Sequence, residues 1–240
     1  MCLLVYLGNV QAAGTTLLTK TVQTIVQVFP QHAPTFLEPV LGKALYLAFS
    51  AEEPLECKQA YVVMLSVLAY HNAQYFARLC QVLGDQLPQE QRRGGPFILL
   101  AFIDFAYEQL EVIRSPDLRK SVCMGLLSML SSGVPEVLGK ITLLVDGTLS
   151  TLHDADTCCR YAVSYSPPAQ GEAFSVADEE FQRIFAEDPV YTVKLRDYAM
   201  QQLQAASSAY GQAFQQAVAA MPSKLLEELQ NPAPPVMNHG

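Results

Sequence analysis

Apolar positions in this chain recur every three or four residues, the spacing of one face of an α-helix, and the alternation typical of strands is nearly absent. Proline or a capping residue stands before many of these apolar runs, as it does where helices begin. If Gly14, Leu55, Pro96 and Pro135 start successive first helices, their positions differ by 41, 41 and 39 residues. Such intervals are close to the ~40–47 residues of HEAT-type helix pairs. The pattern predicts an all-α fold, a right-handed α-solenoid of HEAT-type helix pairs.

Three complete pairs follow from the breaks between the apolar runs. Their helices are predicted at 14–29 with 35–50, 55–70 with 72–84, and 96–113 with 116–131. In 96–113, only Asp104, Glu108 and Glu111 form a polar stripe. Because its other sides are apolar, we expect this helix to be enclosed in the middle of the stack.

The fourth pair is interrupted by an acidic segment. Its first helix is predicted at 135–152, and residues 153–188 then hold eight acidic and two basic side chains with little apolar periodicity. This composition favours a mobile loop that is dispensable for folding. The predicted organisation is HEAT-type repeats over 1–152, an acidic loop insertion over 153–188, closing and capping helices over 189–231, and a disordered tail over 232–240.

An amphipathic helix is predicted directly after the acidic segment. Asp188 is placed to cap it, Pro189 suits its first position, and Gln201 lies on its polar side. The apolar face needs another surface to cover it. That face comprises Tyr191, Leu195, Ala199, Leu203, Ala206 and Tyr210. A last amphipathic segment, broken at Pro222, is expected to cap the open end of the stack.

Composition narrows the classes of function. Half of the 240 residues are hydrophobic, and Lys and Arg total 15 against 23 Asp and Glu, a net charge of -8. We therefore expect no direct nucleic-acid partner. Polar residues interrupt the uncharged stretch 59–77, and no basic region precedes the apolar start of 1–19, so we expect no membrane insertion and no signal peptide. The six cysteines form no C-x-x-C pair, which favours free thiols in a reducing, intracellular compartment.

Candidate chemistry is sparse. No motif of a catalytic, nucleotide or metal site occurs, so the sequence predicts neither an enzyme nor a cofactor. His153, Asp154 and Asp156 precede two cysteines, a mixture of hard and soft ligands that indicates a polar helix end rather than a metal site. His71 has no acidic residue close in sequence and is expected to be a core or interface histidine.

An acidic run is the candidate contact for a partner that we select from the sequence. Asp178, Glu179 and Glu180 lie together within the predicted loop and suit a basic partner. The alternative is a solvated charge run that binds nothing.

Three stretches resemble one known family. The segment "DPVYTVKLRDYAMQQLQ", from Asp188 to Gln204, is similar to the extreme C-terminus of the importin-β (karyopherin-β) family, in particular its importin-11 branch. The stretches "RKSVCMGLLSMLSS" (Arg119 to Ser132) and "TLHD" (Thr151 to Asp154) resemble the same branch in the same order.

The resemblance implies the C-terminal part of a nuclear import receptor. Members of that family are superhelical stacks of HEAT repeats that shuttle between cytoplasm and nucleus and bind protein cargo, the Ran GTPase and phenylalanine-glycine nucleoporins. The family binds Ran mainly through N-terminal repeats that this sequence lacks, so no Ran contact transfers to a residue here. The alternative is a helical-repeat scaffold or regulatory subunit of another intracellular complex.

Overall fold

A computed structural model describes residues 12–86, 96–164 and 187–230 of the chain, with side chains except at 153–164. These residues form α-helices and short 3₁₀ turns, and the described ranges contain no strand. The helices are α1 Ala12–Val28, α2 Ala33–Ala48, α3 Leu55–His71, α4 Ala73–Gln86, α5 Phe97–Val112, α6 Pro116–Ser128, α7 Ile141–Ser164, α8 Pro189–Thr192, α9 Leu195–Tyr210, α10 Gln212–Ala219 and α11 Ser223–Gln230. The all-α repeat stack is confirmed, and its handedness stays a prediction.

The helices pack in two layers. In the inner layer, α1 packs against α3, α3 against α6, and α6 against α7. In the outer layer, α2 packs against α4, and α4 against α5. The third pair therefore enters the stack in reversed order, because its second helix, rather than its first, lies beside α3.

The central helix of the stack is α3. Every residue from Tyr61 to Ala69 is buried, which requires neighbours on all sides. The helix α5, which the sequence places in the middle, instead keeps Asp104 and Glu108 outside the core on one side. The long apolar run of α5 reflects its contacts with α4 and α6 rather than a central position.

Gly125 permits the closest approach in the inner layer. A Cβ atom at this position of α6 would lie 2.3 Å from the backbone oxygen of Ser66 in α3. Only glycine allows the two backbones to pack this closely.

One boundary of the predicted organisation differs from the structure. The helix α7 continues to Ser164, so the backbone of 153–164 is helical where the loop insertion was predicted to begin. The rest of that segment, 165–186, and the predicted tail, 232–240, lie outside the described residues.

The helix predicted from Pro189 is divided in two. Asp188 caps α8 as predicted, since its side chain accepts a hydrogen bond from the Val190 N–H. Val193 and Lys194 then adopt extended backbone angles, and α9 begins at Leu195. The break rotates Tyr191 away from the buried face. Tyr198, which the predicted apolar face does not include, is buried instead.

The remaining sequence predictions concern the chain's end and its cysteines. Gly211, with φ of 51°, ends α9, and Pro222 separates α10 from α11 as predicted. The described thiols, Cys57, Cys80 and Cys123, are free and buried. Within the described ranges, no helix is long and apolar enough to cross a bilayer.

Candidate functional site

A groove runs across the inner layer, with α3 as its floor and with α1 and α6 as its walls. We call it the inner groove. Val63 and Val67 lie along its floor, and Gln23 and Gln27 lie along the α1 wall. The residue numbers rise in the same direction on all three helices, so the three helices run parallel past the groove.

The segment Asp188–Val190 fills one end of the inner groove. One oxygen of the Asp188 carboxylate accepts the Val190 N–H at 2.8 Å, and the other accepts the side-chain amide of Gln27 at 3.4 Å. Val190 is buried, and only a cavity of about 20 Å³ remains between this segment and the walls. Asp188 therefore joins the first described helix to a segment 161 residues later.

A buried lysine, Lys120, binds the backbone of the segment Asp188–Val190. It is fully buried in α6, and its ammonium group donates a hydrogen bond to the backbone oxygen of Val190. In an unbroken helix that oxygen would accept the N–H of Lys194, which the extended backbone at 193–194 removes. The lysine thus satisfies a buried carbonyl at the helix break.

A hydroxyl pair fixes α9 beside the same groove. The hydroxyls of Tyr198 and Ser128 lie 2.7 Å apart in the core, and burial raises the pKa of Tyr198 to about 12. The Tyr198 ring packs 5.4 Å from the ring of Tyr70. Tyr70 in turn packs edge-on against His71, at 5.0 Å between centroids. Burial lowers the pKa of His71, and the nearby Asp188 carboxylate opposes that shift.

The other end of the inner groove is open. This space of about 260 Å³ is rimmed by Lys20 on α1 and by Arg114 before α6, with Glu56 also on its lining. Lys20 and Arg114 are exposed, and no carboxylate among the described side chains lies within ion-pair distance of either. Val63 and Leu118 contribute apolar side chains to the same lining.

A second groove lies in the outer layer, between α2 and α4. We call it the outer groove; its volume is about 720 Å³, and Tyr46 and Val82 line it beside Glu38 and Lys43. Tyr46 is 59% exposed and Val82 39%, while Phe36, on the same helix as Tyr46, is 79% exposed. Apolar side chains gathered at one exposed place mark a contact surface more often than scattered ones do.

The structure places the predicted site residues as follows. Asp178, Glu179 and Glu180 lie outside the described residues, as do the side chains of His153, Asp154 and Asp156. His71 is half-buried at the groove, as an interface histidine. Among the side chains that are described, no three His, Cys, Asp or Glu residues gather as a metal site would require.

Sequence reasoning missed Lys120 and Tyr198. A lysine in a helix normally indicates solvent exposure, and the only signal for burial of Lys120 was its place directly before the largely apolar run from Ser121 to Met129. Tyr198 lies three residues after Leu195, so a helix phased from Leu195 rather than from Tyr191 would have placed it on the buried face.

These features identify the structural class of the protein. Stacked helix pairs in two layers, with a groove across each, make this an α-solenoid of the helical-repeat class. The family model described as "Importin-11-like, TPR repeats" matches residues 2–233. The chain belongs to this importin-11-like family. The description names TPR repeats where the intervals near 40 residues predict the HEAT type; both are stacks of paired helices.

Two curated proteins are similar to the chain. It is 21% identical over 237 residues to Importin-11 of Mus musculus and 22% identical over 237 residues to Importin-11 of Homo sapiens. Each comparison covers 93% of this chain but 24% of the relative, so the chain spans about a quarter of the length of the curated relatives it matches. No solved structure matches the chain significantly.

Proposed function

We propose that this chain is the C-terminal helical-repeat segment of a nuclear import receptor, which carries protein cargo through nuclear pores under the control of the Ran GTPase. The observation that carries this proposal is the family match, which extends over residues 2–233 and so includes every described helix. An enzymatic role has no support in the sequence, and the family supports a transport role instead. Such a receptor would shuttle between the cytoplasm and the nucleus.

The packing of the last helices on α7 supports a closing role for them. The helices α8, α9 and α11 all pack on α7, and Arg196 of α9 donates to the backbone oxygens of Glu228 and Leu229 at the end of α11. A repeat stack requires such a cap, because its last pair would otherwise expose an apolar face. We infer that this part of the receptor closes the stack.

The outer groove is the surface we assign to nucleoporins. Phenylalanine-glycine segments present single apolar side chains on a flexible backbone, and such a side chain is stabilised by leaving water for an apolar cleft. The outer groove offers Tyr46 and Val82 beside the apolar side chains of Leu79 and Leu83. A Val82→Glu substitution should weaken binding of a phenylalanine-glycine peptide at least about five-fold, because the charge enters that cleft.

The matched control for this experiment is Val112→Glu. Val112 is 47% exposed on α5, which is comparable to Val82, and it does not line the outer groove. Peptide affinity measured by fluorescence anisotropy should be unchanged in the control. Equal losses in both variants, or none in either, would remove the nucleoporin assignment.

The receptor role as a whole is tested by pulldown with the protein that carries this chain. Ran loaded with GTP should bind and should release a set of captured proteins, and Ran loaded with GDP is the control. Capture of a stable catalytic partner, with no response to either form of Ran, would instead establish a helical-repeat scaffold or regulatory subunit.

A further inference from the structure

The inner groove is filled at one end and open at the other, and the two ends are continuous. On each of the three helices, a residue of the open end is followed one helical turn later by a residue of the filled end, a step of about 5.4 Å. The pairs are Gln23 and Gln27 on α1, Val63 and Val67 on α3, and Leu118 and Ser121 on α6. The open end therefore extends an interface in which the segment Asp188–Val190 is already bound.

The charges and apolar side chains of the open end indicate which kind of peptide it can bind. Lys20 and Arg114 bring two positive charges to its rim, and Glu56 is the only acidic residue among its lining residues. Val63 and Leu118 line the same space with apolar side chains. A peptide that carries carboxylates beside an apolar side chain satisfies both features, because the carboxylates pair with the cations while the apolar group leaves water.

We propose that the chain's own residues 178–181, Asp-Glu-Glu-Phe, dock in this open end. The carboxylates of Asp178, Glu179 and Glu180 pair with Lys20 and Arg114, and Phe181 packs on the apolar floor. The proposal does not depend on the transport role, since it uses only the groove and the sequence directly upstream of the bound segment.

The chain is long enough for this contact. Six residues separate Phe181 from Asp188, so the chain takes seven Cα-to-Cα steps between them and reaches about 23 Å when it is extended. The open end begins one helical turn, about 5.4 Å, from the bound segment. Because the occupant is tethered, its effective concentration at the groove reaches the millimolar range, which favours it over a separate acidic partner.

Docking would change what the acidic run can bind. While its carboxylates pair with Lys20 and Arg114, the run is not available to a basic partner. A basic partner would therefore have to compete with two cations of the same chain, which adds selectivity to a contact that charge alone would leave unspecific.

A zero-length crosslink tests the contact directly. A carbodiimide joins an amine to a carboxylate that already touches it, so Lys20 should be joined to Asp178, Glu179 or Glu180 within one chain. The yield should not change when the protein is diluted ten-fold. Crosslinks that join two chains and disappear on dilution would mean that a second copy occupies the groove, and the proposal would be wrong. The absence of any crosslink from Lys20 to this run would also refute it.

Hydrogen exchange in charge variants provides the second test. Amides of 172–187 should exchange about five-fold faster in a Lys20→Glu/Arg114→Glu variant, the factor expected from losing ion pairs of surface strength. A Lys194→Glu/Lys224→Glu variant makes the same change of net charge away from the groove and should exchange like the wild type. Because all four cations are exposed, these variants should keep the helical circular dichroism spectrum.

A charge swap separates docking from a general effect of charge. Adding Asp178→Lys, Glu179→Lys and Glu180→Lys to the Lys20→Glu/Arg114→Glu variant should restore slow exchange, because the pairs are re-formed with reversed signs. Exchange that stays fast after the swap would overturn the proposal.

Discussion

A single methyl group at Gly125 should force the two central helices apart. The added Cβ of a Gly125→Ala variant would lie 2.3 Å from the backbone oxygen of Ser66 and 2.7 Å from its carbonyl carbon and Cα atoms. Ordinary carbon–oxygen contacts are about 3.3 Å or longer, so α3 and α6 would have to separate by roughly 1 Å. No side-chain rotation relieves the contact, because the neighbouring atoms belong to the backbone.

The change in the free energy of unfolding of the Gly125→Ala variant is the sum of two opposing effects. Overpacking a buried contact usually costs about 1–3 kcal/mol, and a backbone contact in the central helix belongs at the upper end of that range. Alanine is better than glycine inside a helix by about 1 kcal/mol. The net loss should be about 2 kcal/mol, which lowers Tm by roughly 4–8 °C in a chain of this size.

Gly42→Ala is the matched control. Gly42 lies inside α2, and its added Cβ would meet nothing closer than Leu79 at 3.9 Å, so this variant should gain up to about 1 kcal/mol. Thermal and urea unfolding followed by circular dichroism measure both variants. If Gly125→Ala unfolds at or above the wild-type temperature, the close packing of α3 against α6 does not exist as described.

The remaining predictions concern α8, α9 and the residues that hold these helices on the stack. Leu203→Asp buries an unpaired charge between α9 and the stack and should cost several kcal/mol, whereas Gln201→Asp, on the exposed side, should stay within about 0.5 kcal/mol; equal losses in urea unfolding would contradict the buried face of α9. Lys120→Met keeps the side-chain length but leaves the Val190 oxygen without this donor, at a cost of about 1–3 kcal/mol, and should speed amide exchange in α8 more than in α2. The pKa of Tyr198 is raised from 10.0 to about 12, so the neutral form that the fold favours contributes stability below pH 10, and that contribution is lost as the pH rises through 12. A Tyr198→Phe variant should show a shallower loss of stability over that window, and an unchanged slope would exclude this tyrosine as its source.

Local signals were sufficient for the helix pairs. Pro116 begins α6, Pro189 begins α8, and Pro222 separates the last two helices, each as predicted. Proline and capping residues act on the backbone within one turn, so their effect is visible in the sequence without knowledge of the fold. The start of α3 at Leu55 was likewise predicted to the residue.

Neighbour relations between distant helices could not be predicted in the same way. The sequence assigned the central position to α5 because of its apolar run, yet α3 is central because α6 packs beside it. Whether the first or the second helix of a pair faces its predecessor depends on close contacts between distant helices, such as that of Gly125 with Ser66. Such contacts have no signature in the spacing of apolar residues.

In the candidate site, too, local features could be predicted from the sequence and contacts between distant elements could not. The capping role of Asp188 was predictable because it acts two residues away, at the Val190 N–H. Its bond to Gln27 and the burial of Lys120 beneath Val190 required the fold, because each joins elements that the periodicity treats as independent.

The bond between Gln27 and Asp188 has a consequence for synthesis of the protein. A ribosome adds about 5–20 residues per second, so Asp188 is made roughly 8–30 seconds after Gln27. During that interval α1, α3 and α6 can assemble, but the whole inner groove stays empty and the Lys120 ammonium lacks the Val190 oxygen. The nascent chain therefore exposes a long, open cleft before its own later residues are made, and a chaperone that binds extended segments can bind in that period.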